Sequence, residues 1–137
     1  MQVIVEQTKG ITFVARGESN HWVVMDGPED FNGSEAASNP MELLLMSLGG
    51  CTGSDVASIL HKKRVPLDHL QVVVTGERAL EHPRIYNKIH LEYVFYGEGL
   101  KTSDLESAVA LSQDKYCSVT AMLKASCEVS HSYRIMS

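Results

Sequence analysis

Three short runs rich in β-branched and aromatic residues open the chain: Gln2 to Gln7, Ile11 to Arg16 and His21 to Met25. They are separated by Lys9-Gly10 and Gly17-Glu-Ser-Asn20, punctuation that predicts a three-strand meander. From Asp26 to Asn39 no apolar period is visible, which predicts a mobile surface loop. Asn39 and Pro40 then supply an N-cap and a residue suited to the first helical position. Leu43, Leu44, Leu45, Met46 and Leu48 follow, apolar on nearly every side, so the helix is expected to be buried all round. Gly49, Gly50 and Gly53 each cost about 1 kcal/mol in a helix relative to Ala, which points to close backbone packing or a ligand at the Cys51 face. An amphipathic pattern resumes at Val56, Ile59 and Leu60, and Val65-Pro66 ends it.

Residues 69 to 76 and 84 to 96 are β-rich, and in the second run Ile85, Ile89, Leu91, Tyr93 and Phe95 share a face. Gly97 and Gly99 stop that strand. Ser103-Asp-Leu-Glu106 has the pattern of a capping box and opens a helix. Leu105, Val109, Tyr116, Val119 and Leu123 give it an apolar stripe with a break near Cys117, and an alternating strand from Cys127 to Ile135 closes the chain. Strands, helix, strands, helix and strand without regular βαβ repetition make the class α+β, as one domain over residues 1–137. One small sheet shields only one side of the all-apolar helix, which leaves the other for a partner subunit.

A chain of 137 residues is long enough for a single core. It has no uninterrupted apolar run of the roughly 18 residues that a membrane span needs. Its start, Met-Gln-Val-Ile-Val-Glu, lacks the order of a secretory signal, so the expected location is cytoplasmic, with no membrane partner. A net charge of −5 argues against nucleic acid, which requires a basic face. The one basic cluster, His61-Lys-Lys-Arg64, ends a helical pattern, where cations complement the helix dipole. Cys51, Cys117 and Cys127 form no Cys-x-x-Cys pair, and the six histidines are scattered, so neither a permanent disulfide framework nor a metal site is expected.

The candidate chemistry is that of thiols. Small or hydroxyl-bearing residues surround Cys51 (Gly49, Gly50, Thr52, Gly53) and Cys117 (Ser118, Thr120), leaving room for something to approach either sulfur. A peroxide-reducing cysteine needs a thiolate and access, and a second cysteine can capture the sulfenic acid it becomes. The competing reading is that both are small core residues, as free cysteines commonly are. Cys127, on a strand face with Val129 and Tyr133, is assigned to the core. Arg16 and Arg84 are candidate positive partners for a thiolate; Glu42 either holds such an arginine or complements the helix N-terminus.

Five segments together resemble the osmotically inducible protein C / organic hydroperoxide resistance (OsmC/Ohr) superfamily, and within it the YhfA-like branch. They are Met25-Asp-Gly27, the stretch from Asn39 to Val56, His82-Pro-Arg-Ile-Tyr86, the stretch from Asp114 to Val119, and Ser130-His-Ser-Tyr133. The resemblance implies an OsmC-like intertwined homodimer, with central helices wrapped by antiparallel sheets and active sites at the dimer interface. It implies that Cys51 attacks an organic or lipid hydroperoxide, that Cys117 resolves the sulfenic acid as a disulfide, and that an external lipoyl-type dithiol reduces it, with no bound cofactor and no metal. Leu44, Met46 and Leu48 would help line an apolar pocket, and Arg16 is the positional match for the family's arginine. Two positions depart from the peroxidase pattern: Met41 rather than glutamate follows Pro40, the acid coming at Glu42, and Ser118 rather than proline follows Cys117. The competing function on the same fold is non-enzymatic binding or redox sensing of a lipophilic acyl ligand.

Overall fold

The structure is a computed structural model describing residues 1–137. The chain divides into two compact units, Met1–Leu44 and Leu45–Ser137.

The first unit is the expected meander. Strands β1 (Ile4–Lys9), β2 (Thr12–Arg16) and β3 (Trp22–Met25) pair antiparallel in sequence order, with Phe13 opposite Met25 and Arg16 opposite Trp22. Alternation along β2 is muted, and in the whole unit only Asp26 is buried. The segment after β3, expected to be mobile, is instead organised by that residue. The Asp26 carboxylate accepts hydrogen bonds from the backbone N–H groups of Gly27 (2.8 Å), Ser34 (3.2 Å) and Ala36 (3.0 Å), while its own N–H donates to the Ser38 carbonyl. Burial would raise the pKa of this carboxyl; the three backbone donors outweigh that and hold it below the ordinary carboxylate value. The lack of apolar period does mark a loop, but a single buried acid orders a loop that has no periodicity.

The long helix α1 (Pro40–Lys62) begins where predicted. The Asn39 side-chain oxygen accepts from the Glu42 N–H (2.9 Å), and Glu42 Oε1 accepts from both the N–H and the side-chain amide of Asn39. This is a capping box, satisfying helix-end donors that have no intrahelical partner. The helix ends with Arg64 in the left-handed region (φ 57°) and the Val65 N–H bonded to the Leu60 carbonyl, a Schellman closure at a non-glycine residue.

Within the single chain, burial along α1 is one-sided. Only Leu48, Thr52, Val56 and Leu60 are buried, one stripe at four-residue spacing, while Met46 is 52% exposed. By length and composition alone α1 is apolar enough to cross a membrane, with a mean hydropathy of 1.4 over its best 18-residue window. Asp55 near its middle is costly in a bilayer, and Gly49 and Gly53 set its backbone close to Val74 and Val72 of a sheet.

That sheet contains β4 (His69–Arg78), β5 (Tyr86–Tyr96) and β6 (Glu128–Met136), in that order. β4 and β5 are antiparallel, but β5 and β6 are parallel, with Tyr93 opposite Tyr133. The sheet is therefore mixed rather than wholly antiparallel, because the connection from β5 to β6 passes through two helices, as a parallel pairing requires. Ile89, Leu91, Tyr93 and Phe95 are buried as their alternation predicts; Ile85 lies before the strand and is 46% exposed. Gly76 of β4 lies under the Tyr86 ring, where a Cβ would come within 2.6 Å of the ring carbons.

The crossover is α2 (Thr102–Leu111), a five-residue π turn (Ser112–Tyr116) and α3 (Ser118–Lys124). Leu105, Ala108 and Val109 bury one face of α2. The expected capping box does not form: the helix starts at Thr102, so Ser103 is already inside it, and Glu106 instead accepts a hydrogen bond from the Tyr133 hydroxyl (2.7 Å).

Candidate active site

Cys51 lies near the middle of α1, and Asp55 follows it by one turn on the same side. Cys117 arrives by a different device. The π turn closes with the Cys117 N–H bonded to the Ser112 carbonyl (2.8 Å), and Cys117 then leaves the helical region (φ −74°, ψ 103°) to cap α3. Its Sγ accepts the Thr120 N–H at 3.4 Å. This places Cys117 Sγ, Cys51 Sγ and a carboxylate oxygen of Asp55 within 4.8 Å of one another. Cys51 is half-buried, Cys117 only 3% exposed, and all three cysteines are free thiols. The helix begins at Ser118 although serine rather than proline occupies its first position, with Cys117 as its cap.

Beside the pair is a buried polar network in which only Gln113 Oε1 lacks a partner. The Thr52 hydroxyl, one residue round the helix from Cys51, meets the Tyr93 hydroxyl at 2.6 Å and the Ser112 hydroxyl at 2.7 Å. Ser112 in turn donates to Asp55 Oδ2 (3.0 Å). The side-chain amide of Gln113 donates to Thr52 (3.0 Å), Tyr93 (3.0 Å) and Thr120 (3.2 Å). Thr52, Tyr93, Ser112 and Thr120 are fully buried and Gln113 nearly so, so these bonds replace water that the core excludes. The extra residue of the π turn aims Ser112 and Gln113 inward together, a known use of such bulges at sites.

Burial pushes the Cys117 thiol up; the hydrogen bonds from Thr120 work against this, and the neighbouring Cys51 adds to it. Burial likewise raises the Tyr93 phenol against the opposing bonds from Thr52 and Gln113, with the charges of Cys117 and Asp55 adding to the rise. Cys117 is thus held as a thiol near neutrality, behind a more accessible Cys51.

Of the residues singled out in the sequence, the structure brings Cys51 and Cys117 together. Arg16 has its guanidinium on the Asn20 side chain (2.9 Å) and over the Trp22 ring, and the Glu42 carboxylate is engaged in its capping box. Arg84 starts no strand; its carbonyl accepts from Arg78. Cys127 sits just before β6, its thiol on the Leu123 carbonyl. Leu48 is fully buried and faces no opening, whereas Leu44 and Met46 are exposed. Asp55, Ser112 and Gln113 carry much of the site, and the four-residue step from Cys51 to Asp55 is the one signal of them in the sequence. No sequence pattern announces a π turn.

The model of the OsmC-like protein family matches residues 32–132, a span containing both thiols and every member of the network. The chain belongs to the OsmC-like family. Among OsmC-like relatives it is 40% identical to protein YhfA of Escherichia coli K12, over 99% of this chain and 98% of that one. A hypothetical protein from Aquifex aeolicus is 36% identical over 99% of this chain and 97% of that one, with a TM-score of 0.83. An organic hydroperoxide resistance protein from Elizabethkingia anophelis shares the OsmC-like fold at 12% identity, with a TM-score of 0.70 over 98% and 97% of the two chains.

Proposed function

We propose that this chain is a dithiol peroxidase acting on organic or lipid hydroperoxides in oxidative-stress defence. One observation carries the reading: an accessible thiol and a buried thiol share a site with sulfur atoms within 4.8 Å. The Cys51 thiolate attacks the terminal peroxide oxygen, the O–O bond breaks, and the alkoxide leaves as an alcohol after taking a proton. Cys51 is then a sulfenic acid. Cys117 attacks that sulfur, forming the Cys51–Cys117 disulfide and expelling water. An external dithiol of lipoyl type restores both thiols by exchange. Free thiols of this kind persist in the reducing cytoplasm. Exposed Leu44 and Met46 on α1, with Trp22 and Val24 on β3, support a homodimer in which a second copy covers these faces.

The test is peptide mapping of non-reduced protein after one equivalent of cumene hydroperoxide or hydrogen peroxide. A Cys51–Cys117 cross-link that forms faster with the organic peroxide is expected, as is loss of peroxide consumption to background in Cys51→Ser. Inert thiols would sink the reading.

A mostly apolar groove of about 380 Å³ in the first unit, lined by Val5, Ile11, Phe13, Met25 and Pro40 with Asp26, favours a second reading, a binding protein for a lipophilic acyl ligand. That function survives Cys51→Ser, and solvent extraction of freshly purified protein would release the ligand.

A further inference from the structure

Two thiols and a carboxylate, a mixed donor set suited to a borderline metal ion, converge where no spacing in the sequence placed them. Cys51 and Asp55 project from successive turns of α1, and the break at Cys117 brings a second sulfur to the same point, all within 4.8 Å. We propose that Cys51, Cys117 and Asp55 of the reduced protein bind a thiophilic divalent cation of the Zn²⁺ class. This goes beyond the peroxidase reading and needs only that both thiols be reduced.

The spacing fits such an ion. With Zn–S near ~2.3 Å and Zn–O near ~2.1 Å, tetrahedral geometry sets two sulfurs about 3.8 Å apart and each about 3.6 Å from the oxygen. A contraction of about 1 Å brings the three donors onto one cation, within the reach of side-chain rotation. The carboxylate is already oriented, because Ser112 donates to Asp55 Oδ2 and is itself held by Thr52. The Thr120 N–H does the same for the Cys117 sulfur.

Charge points the same way. The network around the donors is made of hydroxyls and an amide, and Asp55 takes part in no ion pair. Two thiolates and a carboxylate would hold three negative charges together with little water, and a divalent cation balances two of them. Binding releases the two thiol protons and forms two metal–sulfur bonds and one metal–oxygen bond, with no change of oxidation state. Three protein donors leave a fourth position that a water would complete.

The test is Co²⁺ titration of the full chain, kept reduced by a phosphine under argon. Expected are one Co²⁺ per chain with a thiolate-to-cobalt charge-transfer band and the visible bands of a tetrahedral ion, displacement by Zn²⁺, and two protons released per metal in weakly buffered solution. Asp55→Asn should weaken binding at least ~10-fold, and Cys127→Ser should leave it unchanged. A missing charge-transfer band, a band that persists in Cys51→Ser, or an unaltered affinity in Asp55→Asn would overturn the proposal. Circular dichroism checks that each variant folds; if Asp55→Asn does not, Asp55→Glu keeps the carboxylate and should shift the visible bands, and an unshifted spectrum counts against the site. Oxidation of metal-free protein by cumene hydroperoxide reads the peroxidase function separately.

Discussion

The two thiols that meet in this site come from regions built on different principles. Cys51 sits on an uninterrupted α-helix whose buried stripe, Leu48, Thr52, Val56 and Leu60, recurs every four residues. Cys117 sits where the helical path fails, between a π turn and a short helix that it caps. The first region owes its shape to periodicity and apolar burial, which act on any sequence of that pattern. The second owes its shape to a handful of polar side chains hydrogen-bonded to one another, Thr52, Tyr93, Ser112, Gln113 and Thr120, with Gln113 Oε1 left buried and without a partner. Removing one polar group should therefore disturb the Cys117 side far more than a comparable change disturbs the Cys51 side.

Thr52→Val gives the largest effect. It keeps the shape of the side chain and removes the hydroxyl shared by Tyr93, Ser112 and Gln113, three groups buried away from water. A loss of about 2 to 3 kcal/mol in urea-unfolding stability is expected, since each deserted partner pays part of its desolvation cost. Slower Cys51–Cys117 cross-linking should accompany it. A loss below about 1 kcal/mol would mean that the network is incidental and that the two regions do not differ in kind.

This contrast also explains what the sequence disclosed. The meander, α1 with its Asn39 and Pro40 start, and the buried face of β5 were legible because strands and helices of regular period announce themselves. The break at Cys117 could be seen as an interruption of a stripe, but not its form, because a π turn costs one residue and leaves no compositional mark. The parallel β5–β6 pairing was hidden for a similar reason: alternation says which face a residue occupies, not which way its neighbour runs. The capping pattern at Ser103 misled because Glu106 had a better partner in Tyr133, distant in sequence. The meeting of Cys51, Asp55 and Cys117 depends on all of these at once.

Acid–base behaviour sharpens the contrast next. Cys117 and Tyr93 both have pKa values raised in the folded protein, burial being the leading cause in each case. A group that holds its proton more tightly when folded contributes stability that is fully present below its unfolded pKa and is lost as pH rises through the folded one. Unfolding free energy should hold steady near neutrality and decline above about pH 8.5, the ordinary thiol value, with a further decline above about pH 10 from the phenol. Cys117→Ser should shrink the earlier part of the decline, to which the raised Cys127 thiol also contributes, and Tyr93→Phe the later part, to which Tyr133 adds through its bond to Glu106. A stability that rises with pH across this range would show that Cys117 ionises more readily folded than unfolded, and would reverse the assignment of the two thiols.

The smallest effect compares the two helix starts directly. Asn39 caps α1 through an amide oxygen 2.9 Å from the Glu42 N–H, whereas Cys117 caps α3 through a sulfur 3.4 Å from the Thr120 N–H. Asn39→Ala should cost about 1 kcal/mol, the usual worth of an oxygen cap. Sulfur is a weaker acceptor, so the capping share of Cys117→Ala should be smaller, a few tenths of a kcal/mol or about a third of the oxygen value. Cys117→Ser isolates that share, because a hydroxyl can take up the Thr120 N–H in the same place. If the serine variant melts at or above the parent near neutral pH, Cys117 is a poor cap kept for its sulfur, as a thiol with chemistry to perform should be. If it melts well below the parent, the sulfur is there to fill the core, and the Cys117 turn is held by packing just as α1 is.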